Sequence, residues 1–290
     1  MKTLSGMSED ALVARWTRNA PRHMRLLVGP GDDCAVIGGR RDTVWTLLKT
    51  DAVVEGVHFT PTADFADVGW KALARAVSDV AAMGGLPEHA LVTVGFPPSL
   101  ALNKADALYT GLRRCARKFG ISLAGGETTR SSAVFVSVTL TGRVERTRCV
   151  LRSGGKPGDI LFVTGKLGGS LTGKHLRFTP RIREARWLVE HFRLRAMIDL
   201  SDGLGADLPR LARASRCGFE LHSPLPCTPG CTESQALSDG EDFELLFAAS
   251  PRQAGKIERT WPFPRLALTR VGVLRANRTS HTLHGFDHFA

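Results

Sequence analysis

The hydrophobic pattern changes period repeatedly along the chain, and each change marks an element. Ser8 to Asn19 sets a cap-competent serine, Glu9 and Asp10 ahead of apolar positions at helical spacing, which predicts an opening helix. Glycine-bounded runs of β-branched and apolar residues at Cys34 to Ile37 and Thr43 to Leu48 predict short strands, leaving Asp32, Asp33 and Asp51 at strand ends. Val68 to Met83 reads as a helix closed by Gly84 and Gly85, Leu91 to Phe96 as a strand, and Ser99 to Phe119 as a capped amphipathic helix ended by Gly120. Ile121 to Ala124 and Val134 to Gly142 predict two more strands, with Gly125, Gly126 and Glu127 in the turn between them. Arg143 to Asp159 is the most turn-rich stretch and predicts a boundary. Beyond it, strands at Ile160 to Thr164, Ala196 to Asp199, Phe219 to Leu221, Phe243 to Ala248 and Leu266 to Val273 are separated by helices at Gly168 to Leu176, Ile182 to Phe192 and Gly203 to Ala214. The alternation predicts an α/β (α+β) fold, without a fixed-period repeat or low-complexity tract.

Length adds that 290 residues, 43% of them hydrophobic, fit one large domain or two ordinary ones. The break near Arg143 favours two, over 1–145 and 146–290. The longest apolar stretches, such as Ala90 to Phe96, are strand-sized and too short to cross a bilayer. The opening residues turn acidic before any apolar run develops, so no secretory or transit signal is visible and a cytoplasmic location is expected. Six cysteines without a repeated spacing argue against a disulfide framework, and Cys227 and Cys231, with His222 upstream, lack the second pair of a zinc signature. The net charge of +11 suits nucleic acid, an acidic surface or a phosphorylated small molecule. Its arginines gather at Arg15, Arg18, Arg22 and Arg25 and at Arg177, Arg181, Arg183, Arg186, Arg193 and Arg195, with no interleaved aromatics to stack bases. Solvated helix faces are expected there, with no specific nucleic-acid or membrane partner.

Against this basic background stand six acidic, glycine-punctuated segments: GPGDDC from Gly29, TDAVVEGVHF from Thr50, SDVAAMGG from Ser78, GGETTR from Gly125, IDLSDGLG from Ile198 and SDGEDFEL from Ser238. Carboxylates in tight turns repel one another unless a cation sits among them, most simply a hard divalent ion held by oxygen ligands. A single Gly-Asp turn has an ordinary reading, Asp bonding its own backbone, but six in one chain point to a magnesium-nucleotide site. Asp79 lies inside an apolar helix, where an unpartnered carboxylate is costly; a metal explains it better than a pair with Arg75, which has solvent available. Asp199 and Asp202, three apart across a strand end and a helix start, could face one cation. Gly125 to Thr129 could offer amides to a phosphate, yet there is no Walker loop, dinucleotide fingerprint, kinase catalytic loop or nucleophile elbow.

At these same residues the chain resembles the thiamine-monophosphate kinase family, of the superfamily that includes aminoimidazole ribonucleotide synthetase and selenophosphate synthetase. GDDCAVI, TDAVVEGVHF, SDVAAMGG, GGETTR, LRSGGKPGD, IDLSDGL, GEDFEL and the terminal GFDHF occur in the family's order and spacing, over almost the whole chain. The resemblance implies a two-domain fold whose N-terminal half forms a β-barrel across a homodimer and whose C-terminal half is α/β, with ATP and several Mg2+ ions between them. By motif it implies metal positions at Asp33, Lys49, Thr50, Asp51, Asp79, Glu127, Asp199 and Asp202. Nucleotide contacts are implied at Tyr109, Gly126, Glu127, Arg152 and Ser201, and thiamine phosphate contacts at His58, Glu241 and Phe286. The implied reaction is direct in-line transfer of the γ-phosphoryl group of ATP to thiamine phosphate, with no side chain acting as acid or base.

The chain departs from the family's usual residues at several points: Lys49 where Ser precedes the Thr-Asp pair, Ala76 for a common asparagine, Glu127 for the acid of GGD, Asp239 for a glycine, and a different segment from Lys166 to Arg183. A cation beside a metal cluster is repulsive unless its side chain points away, so Lys49 is expected to contribute only its backbone. Two other functions fit the motifs: an enzyme of the same superfamily with another acceptor, and a non-catalytic module that binds nucleotide or thiamine phosphate.

Overall fold

Strand alternation organises the first half. From Trp45 to Val53 the odd-numbered residues turn inward and the even-numbered ones outward, which carries one strand straight through Lys49, Thr50 and Asp51. The computed structural model describes residues 4, 6–277 and 285–286; the remainder of the terminal GFDHF motif lies outside them. Helix α1 (Glu9–Thr17) leads into β1 (Leu26–Val28), β2 (Ala35–Ile37) and β3 (Val44–Val54), and then α2 (Phe65–Ala82), β4 (Leu86–Phe96), α3 (Leu102–Phe119), β5 (Ser122–Arg130) and β6 (Phe135–Glu145). The sheet runs β1-β2-β3-β6-β4-β5. It is antiparallel except for the β4–β5 pair, which α3 joins as a crossover. In the single chain this sheet is open, with β1 and β5 at its edges.

A second sheet, antiparallel throughout and ordered β8-β10-β7-β11-β9, comprises β7 (Ile160–Thr164), β8 (Ala196–Asp199), β9 (Gly218–Leu221), β10 (Leu245–Ala249) and β11 (Leu268–Arg275). Around it lie α4 (Lys174–Arg177), α5 (Ile182–His191), α6 (Leu204–Ala214), α7 (Glu233–Ser238) and α8 (Pro251–Thr260). The fold is a mixed α/β arrangement of two sheets, as the pattern of periods implies. Between the halves runs α2, buried at every position except Ala66 and Arg75, and its core joins the first sheet to α5, β7, β8 and β10. A helix apolar on nearly all sides belongs inside a molecule, and this one carries Lys71, Ser78 and Asp79 into the interior.

Several expectations change. Asp51 is mid-strand, and Glu127 sits within β5 because Gly125 and Gly126 extend the strand where their types suggest a turn. The reason is packing: a Cβ on Gly126 would lie 1.8 Å from the Val92 carbonyl oxygen, so glycine lets β5 lie close on β4. The helix expected over Gly168 to Leu176 breaks into a 3-10 turn, Ser170–Thr172, and the single turn of α4. The second arginine cluster is a solvated face only in part: Arg177, Arg183 and Arg193 are exposed, but several of its members hold acids. Arg181 pairs with buried Glu244 at 2.5 Å, Arg186 spans Glu145 and Glu190 at 2.7 and 2.8 Å, and Arg177 reaches Asp67 at 2.5 Å. All six cysteines are free thiols. No helix among the described residues is long and apolar enough to cross a membrane.

Candidate active site

Three distant segments converge on one acidic point. The turn before β2 supplies Asp33, α2 supplies Asp79 and the end of β8 supplies Asp199; all three are buried, with one carboxylate oxygen from each within 4.8 Å of the others. Ser78 Oγ donates to Asp199 Oδ2 at 2.5 Å. The Arg152 guanidinium donates to Asp33 Oδ1 at 2.7 and 3.2 Å, and its backbone N–H to the Asp32 carboxylate at 3.2 Å. Asp33 Oδ2 is buried with no hydrogen-bond partner. Burial and then the charge of Asp33 push the Asp32 and Asp199 carboxyls up to about 7. Burial likewise raises Asp79, against the pull of Lys49. A concentration of buried carboxylate oxygens with one orphaned lone-pair face suits a hard divalent cation such as Mg2+.

Lys49 corrects the expectation that its side chain points away. Its Nζ donates to Asp79 Oδ1 at 2.7 Å, and alternation along β3 places it on the same face as Asp51. Arg75 is therefore not the partner of Asp79. It lies 3.4 Å from Asp51 Oδ1 and 3.8 Å from Glu241 Oε1 instead.

A cleft of about 660 Å3 opens beside the cluster, lined by Asp32, Lys49, Asp51, Asp79, Arg152, Ser201 and Asp202 and bordered by α1. Arg210 Nη1 binds Asp202 and lies 2.8 Å from Asp207 Oδ1, while Asp10 of α1 accepts from Arg210 at 3.2 Å and Arg213 at 3.0 Å. Phe286 N–H donates to the Asp202 carbonyl at 2.9 Å, which fixes that residue at the rim.

Next to the cleft stands a second polar knot. Lys71, wholly buried, donates to the His58 carbonyl at 2.6 Å and to Glu241 Oε2 at 2.7 Å, and lies 2.8 Å from His175 Nδ1. Glu241 occupies left-handed backbone, φ 51°, in a turn tied by its N–H to the Ser201 carbonyl at 2.7 Å. Such a conformation in a non-glycine residue marks a constrained site. Burial would raise the Glu241 carboxyl, but His175, Lys71 and Arg75 together hold it down to about 2. Lys71 is lowered to about 8 by its burial, against the attraction of Glu241.

The fold thus brings Lys49, Asp51, Asp79, Asp202, Arg152 and Ser201 to one cleft, with Asp33 and Asp199 buried against Asp79 and with His58, Glu241 and Phe286 bordering it. Thr50, Gly126, Glu127 and Tyr109 are not on its lining. Thr50 is on the opposite face of β3 from Asp51, Gly126 and Glu127 are exposed on the edge strand β5, and Tyr109 packs half-buried on α3. Sequence reasoning missed Lys71, His175, Arg210 and Asp207. Lys71 had a signal, a cation inside an apolar helix, whereas His175 depends on a partner 104 positions away.

Residues 31–144 match the family model for AIR synthase related protein, N-terminal domain. The thiamine-monophosphate kinase of Rhodopirellula baltica is 39% identical over 88% of this chain and 85% of its own length. That of Bacillus subtilis is 32% identical over 98% of this chain and 100% of its own. Among solved structures, AaThiL complexed with AMPPCP and TMP aligns with a TM-score of 0.86 at 30% identity, covering 100% of this chain and 99% of that one. With an acidic cleft assembled from the motifs along its length, the chain belongs to the thiamine-monophosphate kinase family.

Proposed function

We propose that this chain transfers the γ-phosphoryl group of ATP to thiamine phosphate, giving thiamine diphosphate and ADP. The observation that carries the reading is the Asp33, Asp79 and Asp199 cluster beside a cleft that also holds Arg152 and Ser201. The solved relative complexed with AMPPCP and TMP supports it. A phosphate monoester has a second pKa of about 6, so near neutral pH the acceptor is already mostly a dianion and needs no protein base. Its oxygen attacks the γ-phosphorus while the bond to the β,γ-bridging oxygen breaks and ADP leaves. Asp33, Asp79 and Asp199, with Asp51 and Asp202, would hold Mg2+, which when bound neutralises phosphate charge. Arg152, anchored on Asp33, adds fixed positive charge on the cleft wall. His58, Glu241 and Phe286 would receive the thiamine phosphate, on the side where Lys71 binds Glu241 and the His58 carbonyl.

In the same reading the halves 1–145 and 146–290 are separate domains flanking the cleft, and the first sheet closes into a barrel across a homodimer. The support is its open edge and outer face: Gly125 to Arg130 are exposed along β5, and Leu91, Thr139 and Thr50 lie side by side with Leu91 50% exposed. Thr50 and Glu127 would act from that face. Incubation with ATP, Mg2+ and thiamine phosphate, with chromatographic measurement of both products against a control lacking acceptor, tests the function. Equal amounts of thiamine diphosphate and ADP are expected; ADP without thiamine diphosphate would assign the cleft to another acceptor.

A further inference from the structure

The Lys49 ammonium occupies a place in the acidic cluster that a divalent ion would otherwise claim. Its Nζ stands 2.7 Å from Asp79 Oδ1, the side chain is 23% exposed, and Asp79 belongs to the buried trio with Asp33 and Asp199. Asp51 lies two residues on along the same face of β3, so the ammonium is flanked by carboxylates from two elements. Arg75 of α2 turns to Asp51 and Glu241, and Arg152 to Asp33, so neither takes the place of Lys49 on Asp79.

A magnesium ion binds a carboxylate oxygen at about 2.0–2.1 Å through the lone pairs that an N–H donor uses. A doubly charged ion on Asp79 Oδ1 and an ammonium at hydrogen-bond distance from that same oxygen would repel each other at close range in a poorly solvated site. On that oxygen the two compete. The lysine is covalently held, at high local concentration, between carboxylates of two elements. Asp33 Oδ2, buried with no hydrogen-bond partner, remains open to a metal. We propose that Lys49 serves as a tethered cation in place of one divalent ion, so that the cleft binds one metal fewer with its nucleotide than the same cleft without the lysine. The inference rests on the reading of the cleft as a metal-nucleotide site, and it gives the chain a lower demand for magnesium.

The test counts metal ions. Mn2+ bound per protomer is measured by loss of the free-ion electron paramagnetic resonance signal, with a non-hydrolysable ATP analogue present. Lys49→Ser and Lys49→Gln should each bind about one more Mn2+ than the wild-type protein, and Lys49→Arg should keep the wild-type count. Equal counts in folded wild-type, serine and glutamine proteins would overturn the proposal. A measurement needing no variant is the anomalous-difference map of wild-type crystals grown with Mn2+ and the analogue. Lys49 Nζ should remain on Asp79 with no Mn2+ bonded to Asp79 Oδ1, whereas a peak there with the lysine displaced would refute the tethered cation. Neither measurement uses turnover. If the wild-type protein makes no thiamine diphosphate, the kinase reading fails and the metal count still decides the role of Lys49.

Discussion

Lys71 shows how one buried charge can organise a wall of the cleft. Its contacts join α2, the loop carrying His58, the turn carrying Glu241, and α4, which contributes His175. An ammonium withdrawn from water needs its donors satisfied; the His58 carbonyl and Glu241 Oε2 accept from two of them, with His175 Nδ1 2.8 Å away. Lys71→Met keeps an unbranched apolar stem but removes one partner of a buried pair, so it should destabilise by about 3 kcal/mol, the low end for such a loss because Arg75 and His175 still face Glu241. Glu241 and the His58 carbonyl would then lose their common anchor. The KM for thiamine phosphate should rise on the order of tenfold, about the worth of one charge-assisted hydrogen bond, while the KM for ATP stays near its wild-type value. Steady-state kinetics with each substrate varied in turn would detect this, and an equal rise in both constants would refute it. Arg210 offers a parallel case. It is the cation facing Asp207, which is 1% exposed on its side chain, so Arg210→Ala strands a buried carboxylate and should cost about 3–5 kcal/mol in urea unfolding.

At the level of elements, α2 and α3 pack through glycine. A Cβ on Gly69 would fall 1.9 Å from the Leu108 carbonyl oxygen, and one on Gly111 would fall 1.8 Å from that of Ala66, so each helix presses its backbone into the other. Replacing glycine by alanine gains roughly 1 kcal/mol of helix propensity, but overpacking against a carbonyl outweighs it. Gly69→Ala should destabilise by about 2–3 kcal/mol in denaturant, and it should also lower turnover because α2 carries Lys71, Arg75, Ser78 and Asp79. Full activity in a destabilised variant would show that the helix pair tolerates displacement without moving the site. The helices α2, α3, α5 and α6 were legible in the sequence because their apolar periodicity is sustained over several turns. β5 was legible only at its start, up to Ala124, because the glycines that follow serve close strand approach and read locally as a turn. α7 was not legible, although Thr232 and Gln235 form the capping box that announces it.

Across the whole molecule, the motifs were legible one at a time, but their meeting was not: Ser78 touches Asp199 across 121 positions and Arg152 touches Asp33 across 119. Local pattern carries no such information, and it also hid the direction in which Lys49 points. The convergence has a thermodynamic consequence. Asp32, Asp199 and Asp207 are each raised from 3.8 to about 7, first by burial and then by a neighbouring carboxylate. Between those values the folded state holds more protons than the unfolded state. Stability therefore falls as pH rises through that window, the opposite of a salt-bridged acid. In chelator, the melting temperature should fall from about pH 6 to about pH 8, where the carboxylates carry their full mutual repulsion. Magnesium with a non-hydrolysable ATP analogue should stabilise the protein more at the higher pH, because fewer protons must be displaced from its ligands. Thermal melts at both pH values, with and without the metal complex, check the sign. A melting temperature in chelator that rises with pH would mean that the cation partners Lys49, Arg152 and Arg210 already outweigh the repulsion in the metal-free cleft.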